Sequence, residues 1–248
     1  MTSARILLIL SAVTMSAPAW AVHPFARPST LGAQEPPDLV PTDADRAIYG
    51  LAVDSTVYPD EATVLLLQER TLRVEEDGTF TRGLRQVRQV LRESAVDALA
   101  ELAFAYDPSR EAFSLERAAV VEADGTVVGA SPVHVQELDQ PVSRSAPVYT
   151  AVKRVRATLG DLTVGRIVDW RYTIETTDPP IPGDVLHDWN ANSATPILRS
   201  RFVLDTPVAW KPRISQENLD GPTELREEGG RVIRVWAYEH RAPIEPEP

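Results

Sequence analysis

The chain has 248 residues, 43% hydrophobic and 25% charged, with 21 prolines, no cysteine and 25 basic against 36 acidic side chains, a formal net charge of −11. That composition predicts one medium-sized globular domain with irregular flanks and excludes a disulfide framework, thiolate-bound metal and a cysteine nucleophile. The acidic balance argues against nucleic acid as a partner, because phosphate backbones are held by clustered Lys and Arg.

Met1 and Arg5 lead into an apolar run over 6–13, and Ala19-Trp20-Ala21 forms a small-x-small site. Residues 1–21 therefore read as a secretory signal peptide cleaved between Ala21 and Val22. The run is shorter than the roughly 20 residues a membrane helix needs, and no cysteine follows to carry a lipid. A periplasmic or secreted product is expected, with no membrane contact after cleavage. Residues 22–57 read as a Pro-rich, acidic spacer and lead-in segment, broken by Pro24, Pro28, Pro36, Pro37 and Pro41. Within it a short helix is expected from Asp43 to Val53, capped by Thr42 or Asp43.

Residues 58–240 read as a β-sandwich domain. The run Val64 to Leu67 passes into an alternating strand to Val74, Asp77-Gly78 supplies a turn, and Phe80 to Leu91 returns, with Gly83 as a bulge. Six arginines fall between 70 and 92, yet neighbours along a strand point to opposite sides. A solvated, cross-strand-paired face is the reading preferred over a polyanion site. Ser94 to Leu102 reads as a helix capped by Ser94. Strands follow at 112–121 and 126–128 around Asp124-Gly125, then at 149–159 and 166–176. In the last of these Asp169, Arg171 and Thr173 form a polar side and Val168, Trp170 and Tyr172 a core side. Asp178 to Ser193 reads as a loop, 199–204 and 231–238 as closing strands, and Trp210 lies near a further short one. The fold class expected is all-β, a mainly antiparallel sandwich with one or two short helices, the signal peptide and Pro-rich tails lying outside it. Residues 241–248 read as a Pro-rich linker stub.

Chemistry is sparse. Of His23, His134, His187 and His240, none pairs at a metal-binding helical spacing, and neither a metal nor a cofactor is expected. His187-Asp188-Trp189 is the one place where an imidazole, a carboxylate and an indole meet in sequence, so these three are the candidate ligand-binding residues, against a loop that merely packs its tryptophan. Gly-x-Ser-x-Gly, the phosphate-cradling loop and the dinucleotide fingerprint are absent. Trp170, Trp189, Trp210 and Trp236 could make a carbohydrate-stacking platform, although aromatics at strand positions are more often core. Paired carboxylates for hydrolysis are defined in three dimensions and stay open.

The order of several blocks resembles a family. They are Tyr106-Asp107-Pro108 with Glu111, the stretch Ala118 to Val121 before Asp124-Gly125-Thr126, residues 159–172, Pro196 to Ser200, and Pro207. The family is domain of unknown function 3857, found in exported bacterial proteins ahead of a transglutaminase-like domain, and the likeness is most specific at 159–172. In relatives the downstream domain carries a Cys-His-Asp triad; this chain has no cysteine, so no catalytic residue carries over. The resemblance implies an exported, non-catalytic module that serves a transglutaminase-like or peptidase-like partner. A cell-wall or polysaccharide-binding module using exposed tryptophans is the alternative, and a carboxylate-dependent hydrolase the third option.

Overall fold

A computed structural model describes residues 5–11, 40–129, 134–139, 152–181 and 183–243. The cleavage site at Ala21 and Val22, the spacer over 22–39, the proline-broken connection around Pro132, Pro141 and Pro147, and the tail from 244 lie outside the described residues.

The chain forms β1 (Arg5–Ser11), α1 (Asp43–Tyr49), β2 (Thr63–Val74), β3 (Phe80–Val90), α2 (Val96–Ala100), β4 (Glu101–Tyr106), β5 (Glu111–Val121), β6 (Val127–Gly129), β7 (His134–Asp139) and β8 (Lys153–Thr158). There follow β9 (Ile167–Thr176), β10 (Asp184–Asn190), β11 (Ile197–Pro207), β12 (Arg213–Glu217), β13 (Glu224–Glu228) and β14 (Arg231–Arg241). Eight strands make the central sheet in the order β13-β14-β11-β2-β3-β9-β5-β6. Its pairs are antiparallel apart from β2 and β11, which run parallel. Two smaller sheets, β10-β1-β12 and β4-β8-β7, complete the described strands.

Side-chain alternation decides which layer lies on which face. Leu72 and Val74 of β2, Phe202 and Leu204 of β11 and Trp236 of β14 pack with Val185 and Trp189 of β10 and Ile214 of β12. On the same face further along, Val90, Val168, Trp170, Leu115 and Val120 pack with Leu102 of β4 and Ala157 of β8. The small sheets thus cover two halves of one face. The opposite face is covered by α1 and the loop behind it, where Ile48 and Tyr49 meet Leu66, Val87, Ala119 and Ile167. The chain is a mostly antiparallel, sandwich-like all-β fold with two short helices among the described residues, as the strand pattern implied.

Both predicted hairpin turns are present, with Gly78 at φ 87° and Gly125 at φ 90°, where glycine is the residue without a steric cost. The helix predicted before Val53 runs from Asp43 to Tyr49. Thr42 closes a capping box: its hydroxyl accepts from the Asp45 N–H while Asp45 accepts from the Thr42 N–H at 2.9 Å.

Four sequence expectations are corrected. The stretch 94–102 is not one capped helix: a 3₁₀ turn over Glu93–Ala95 leads into the five-residue α2, Ser94 makes no cap, and Glu101 onwards is strand. There the alternation of Leu102, Phe104 and Tyr106, paired antiparallel to β8, outcompetes the helical spacing. Gly83 sits in regular register opposite Thr71, and the irregularity of this hairpin lies on β2 between Leu65 and Leu67. A Cβ at Gly83 would strike Thr71 Oγ1, so close approach explains this glycine. Within the predicted loop 178–193, Asp184–Asn190 is a strand. Residues 5–11, expected to stand apart from the fold, form the central strand between β10 and β12.

Candidate functional site

The predicted ligand residues lie on β10, which starts after Gly183 (φ 80°) and alternates exposed and buried positions. That alternation separates them. Trp189 and His187 turn toward the central sheet, whereas Asp188 is exposed on the other side, so the three do not converge. His187 stacks on Phe202 at a centroid distance of 5.5 Å, Trp189 stacks on the same ring at 5.5 Å, and Phe202 meets Trp236 at 5.6 Å. Trp236 Nε1 donates to Gln216 Oε1 on β12 at 2.6 Å. An aromatic array therefore runs from β10 to β12. Phe104 and Tyr106 of β4, Phe113 of β5 and Tyr172 of β9 make a second array at the far end of the same face.

Burial pushes the His187 imidazole down to about 4; Arg70 and Arg82 reinforce the shift, and Asp188 opposes it. The folded state thus refuses a proton that the unfolded chain accepts below its ordinary value of 6.5. Stability from this group is undiminished above pH 6.5 and falls as the pH drops toward 4, by up to about 3 kcal/mol. Chemical unfolding at pH 7, 5.5 and 4 should show this loss in the native chain and a flatter profile in His187→Phe, which keeps a ring on Phe202. Parallel profiles would mean that His187 titrates freely.

All four tryptophans proposed for sugar stacking, Trp170, Trp189, Trp210 and Trp236, are buried. None presents an open ring face, which removes the support for a polysaccharide platform built on them.

On the opposite face lies a cluster that the sequence reading missed. Asp169 of β9 is fully buried; it accepts from Tyr49 Oη at 2.7 Å and from Arg85 Nε and Nη2 at 3.1 and 2.9 Å, and pairs with Arg117 Nε at 2.9 Å. Arg85 also donates to Asp45 Oδ1 at 2.5 Å, and Arg117 to Tyr49 Oη at 3.0 Å. Two arginines and two aspartates balance in charge beneath α1. Burial pushes the Asp45 carboxyl up, but Thr42 and the Arg85 guanidinium outweigh it and hold the group at about 2. Burial, reinforced by Asp169, pushes the Tyr49 hydroxyl well above its ordinary value. Arg85 is therefore not part of a solvated face, and Asp169 is buried beneath α1, whereas Arg171 and Thr173 on the same side of β9 are half-buried and Glu175 is exposed. Exposed pairing does hold for Arg73, which meets Asp205 across the strand pair at 3.3 Å and its near neighbour Glu75 at 2.7 Å.

Beside α1 a cavity of about 610 Å³ is lined by Ala47, Ile48, Leu67, Arg85, Glu69 and Glu239 among others. Its two carboxylates each face an arginine, Glu69 with Arg201 at 2.5 Å and Glu239 with Arg199 at 3.7 Å. Salt-bridged carboxylates are poor candidates for a proton-donating and a water-activating pair. Among the described residues no group of three His, Asp or Glu could hold a metal ion.

A mixed eight-stranded sheet, layered on one face by two three-stranded sheets and on the other by a capped helix, defines the class as an all-β sandwich-like module. Within that class the chain belongs to the family described as a domain of unknown function with solved structure, DUF3857, whose sequence profile matches residues 76–245. No curated protein matches. Among solved structures, a candidate protease from Parabacteroides distasonis is similar with a TM-score of 0.59 and 13% identity, over 75% of this chain and 37% of that one. An M1 zinc metallopeptidase from Deinococcus radiodurans gives a TM-score of 0.40 and 11% identity, over 75% of this chain and 40% of that one. The chain thus spans about two fifths of the length of the solved structures it matches.

Proposed function

We propose that this chain is an exported, non-catalytic sandwich module that packs on, or presents substrate to, a transglutaminase-like or peptidase-like partner, either as part of a longer polypeptide or as a separate protein. The observation that carries the reading is the fold match to only 37% of a candidate protease's chain, an arrangement in which this fold is one part of a larger protein. Two further features support it. The sequence has no cysteine to act as nucleophile, and the carboxylates lining the cavity beside α1 face arginines rather than each other. Export is supported by the charged start, apolar run and Ala19-Trp20-Ala21 site of residues 1–21.

Intact-mass analysis of the chain recovered from the periplasm or medium tests the first half of the proposal: a product starting at Val22 is expected, and a cytosolic product starting at Met1 overturns export. Translation of the coding DNA on the far side of the Pro248 codon tests the second half. A Cys-His-Asp transglutaminase-like or a peptidase-like domain, in frame or in the adjacent gene, is expected. Turnover of peptide or polysaccharide by the purified chain, lost in Glu69→Gln, would overturn the non-catalytic assignment.

A further inference from the structure

β10 and β12 each have β1 as their only strand neighbour among the described residues. The pairing is antiparallel on both sides and continuous, from Arg5 opposite Asn190 and Glu217 to Ser11 opposite Asp184. Adjacent strands lie about 4.8 Å apart, so β10 and β12 flank a slot roughly one strand wide, about 10 Å between their axes. Beneath it runs the Trp189–Phe202–Trp236 array, tied to β12 through Gln216. The strand that fills this slot belongs to the segment that carries the features of a cleaved leader.

We propose that after export the slot between β10 and β12 accepts an extended, apolar β-strand donated by a partner polypeptide. The inference rests on the export reading above. Cleavage at Ala21 would leave two unpaired strand edges above an aromatic core, and both the backbone hydrogen-bonding groups and the apolar floor then require a replacement. Strand addition of this kind draws affinity from main-chain bonds and specificity from alternate side-chain positions. The register specifies those positions. Residues 6, 8 and 10 of the present occupant stand opposite Trp189, His187 and Val185, the row of β10 that faces the core. Residues 7, 9 and 11 stand opposite Asp188, Leu186 and Asp184, the exposed row. A donor strand should therefore carry apolar residues at three alternate positions, with basic or polar residues tolerated between them beside Asp184 and Asp188. The chain's own spacer is a poor substitute. Over 22–39 its longest proline-free stretch, 29–35, holds Leu31 as its one large apolar residue and Gly32 beside it.

The test uses the exported chain, its start fixed by mass, and a synthetic peptide with the sequence of residues 5–11 bearing two added lysines. Saturable binding is expected to change tryptophan fluorescence and to slow amide exchange in both 184–190 and 213–217 by about tenfold or more. The same peptide with Leu8→Pro should bind at least about tenfold more weakly, since proline removes a ladder donor in mid-strand. Amides in both segments already protected without peptide, or unprotected with it, would overturn the proposal. Should the exported chain fail to fold alone, refolding that depends on the peptide supports it. As an independent arm, the full chain with a protease site placed within 12–21 can be cut after folding. The fragment bearing 5–11 should stay bound and be displaced by excess peptide, and its spontaneous loss with the fold unchanged would overturn the slot. A product that keeps Met1 refutes export instead, an outcome distinct from a cleaved chain that ignores the peptide.

Discussion

Asp169→Asn is expected to lower the unfolding free energy by about 3–5 kcal/mol, the scale for breaking a buried ion pair from one side. Asp169 is fully buried and satisfies Tyr49, Arg85 and Arg117 together. Asparagine keeps the size but removes the charge that the buried Arg85 and Arg117 guanidiniums both pair with. The seven-residue α1 is far too short to be stable by itself and depends on this docking. Its release would also uncover Ile48, Leu66 and Val87. Urea unfolding should show the midpoint falling with little change in slope, as expected where stability alone changes. The exposed pair offers the contrast: Arg73→Ala, with half its side chain in water, should stay within about 0.5 kcal/mol. A cost below about 1 kcal/mol for Asp169→Asn would mean that these charges do not anchor the helix.

Local signals read well where chemistry within a few residues determines the outcome. Asp77-Gly78, Asp124-Gly125, the Thr42 cap and the alternation of β9 all appear where the sequence implied. What could not be read is which face of β9 water sees. Alternation separates two rows, but burial of Asp169 within its row depends on Tyr49, which lies 120 positions away in sequence. A capping helix followed by a lone Asp on an inward-paired strand, with Arg85 and Arg117 on the two adjacent strands, is the signal that was available. β10 was hidden for a different reason: Gly183, Asp184, Asp188 and Asn190 are turn formers, and its burial comes from the Phe202 and Trp236 rings of distant strands. Residues 5–11 show the limit most sharply. An uninterrupted apolar run serves equally as the core of a leader and as a strand buried between two others, and periodicity does not separate them.

Trp189 separates a binding role from a packing role most directly. Trp189→Ala should cost about 3–5 kcal/mol, because the indole is 1% exposed and stacks on Phe202 and, at 6.2 Å, on Tyr238. The cavity would open beneath the β10-β1-β12 layer, among Val185 and Ile214 that pack in the same cluster. Trp189→Phe should lose much less. The indole Nε1 is buried without a hydrogen-bond partner, so the ring change removes volume but no polar contact. A ligand-reading tryptophan would behave in the opposite manner, with phenylalanine retaining stability but losing binding in the peptide assay. If the alanine variant unfolds early and the phenylalanine variant still takes up the strand, Trp189 is the floor of the slot, and recognition lies in the backbone edges of β10 and β12 above it.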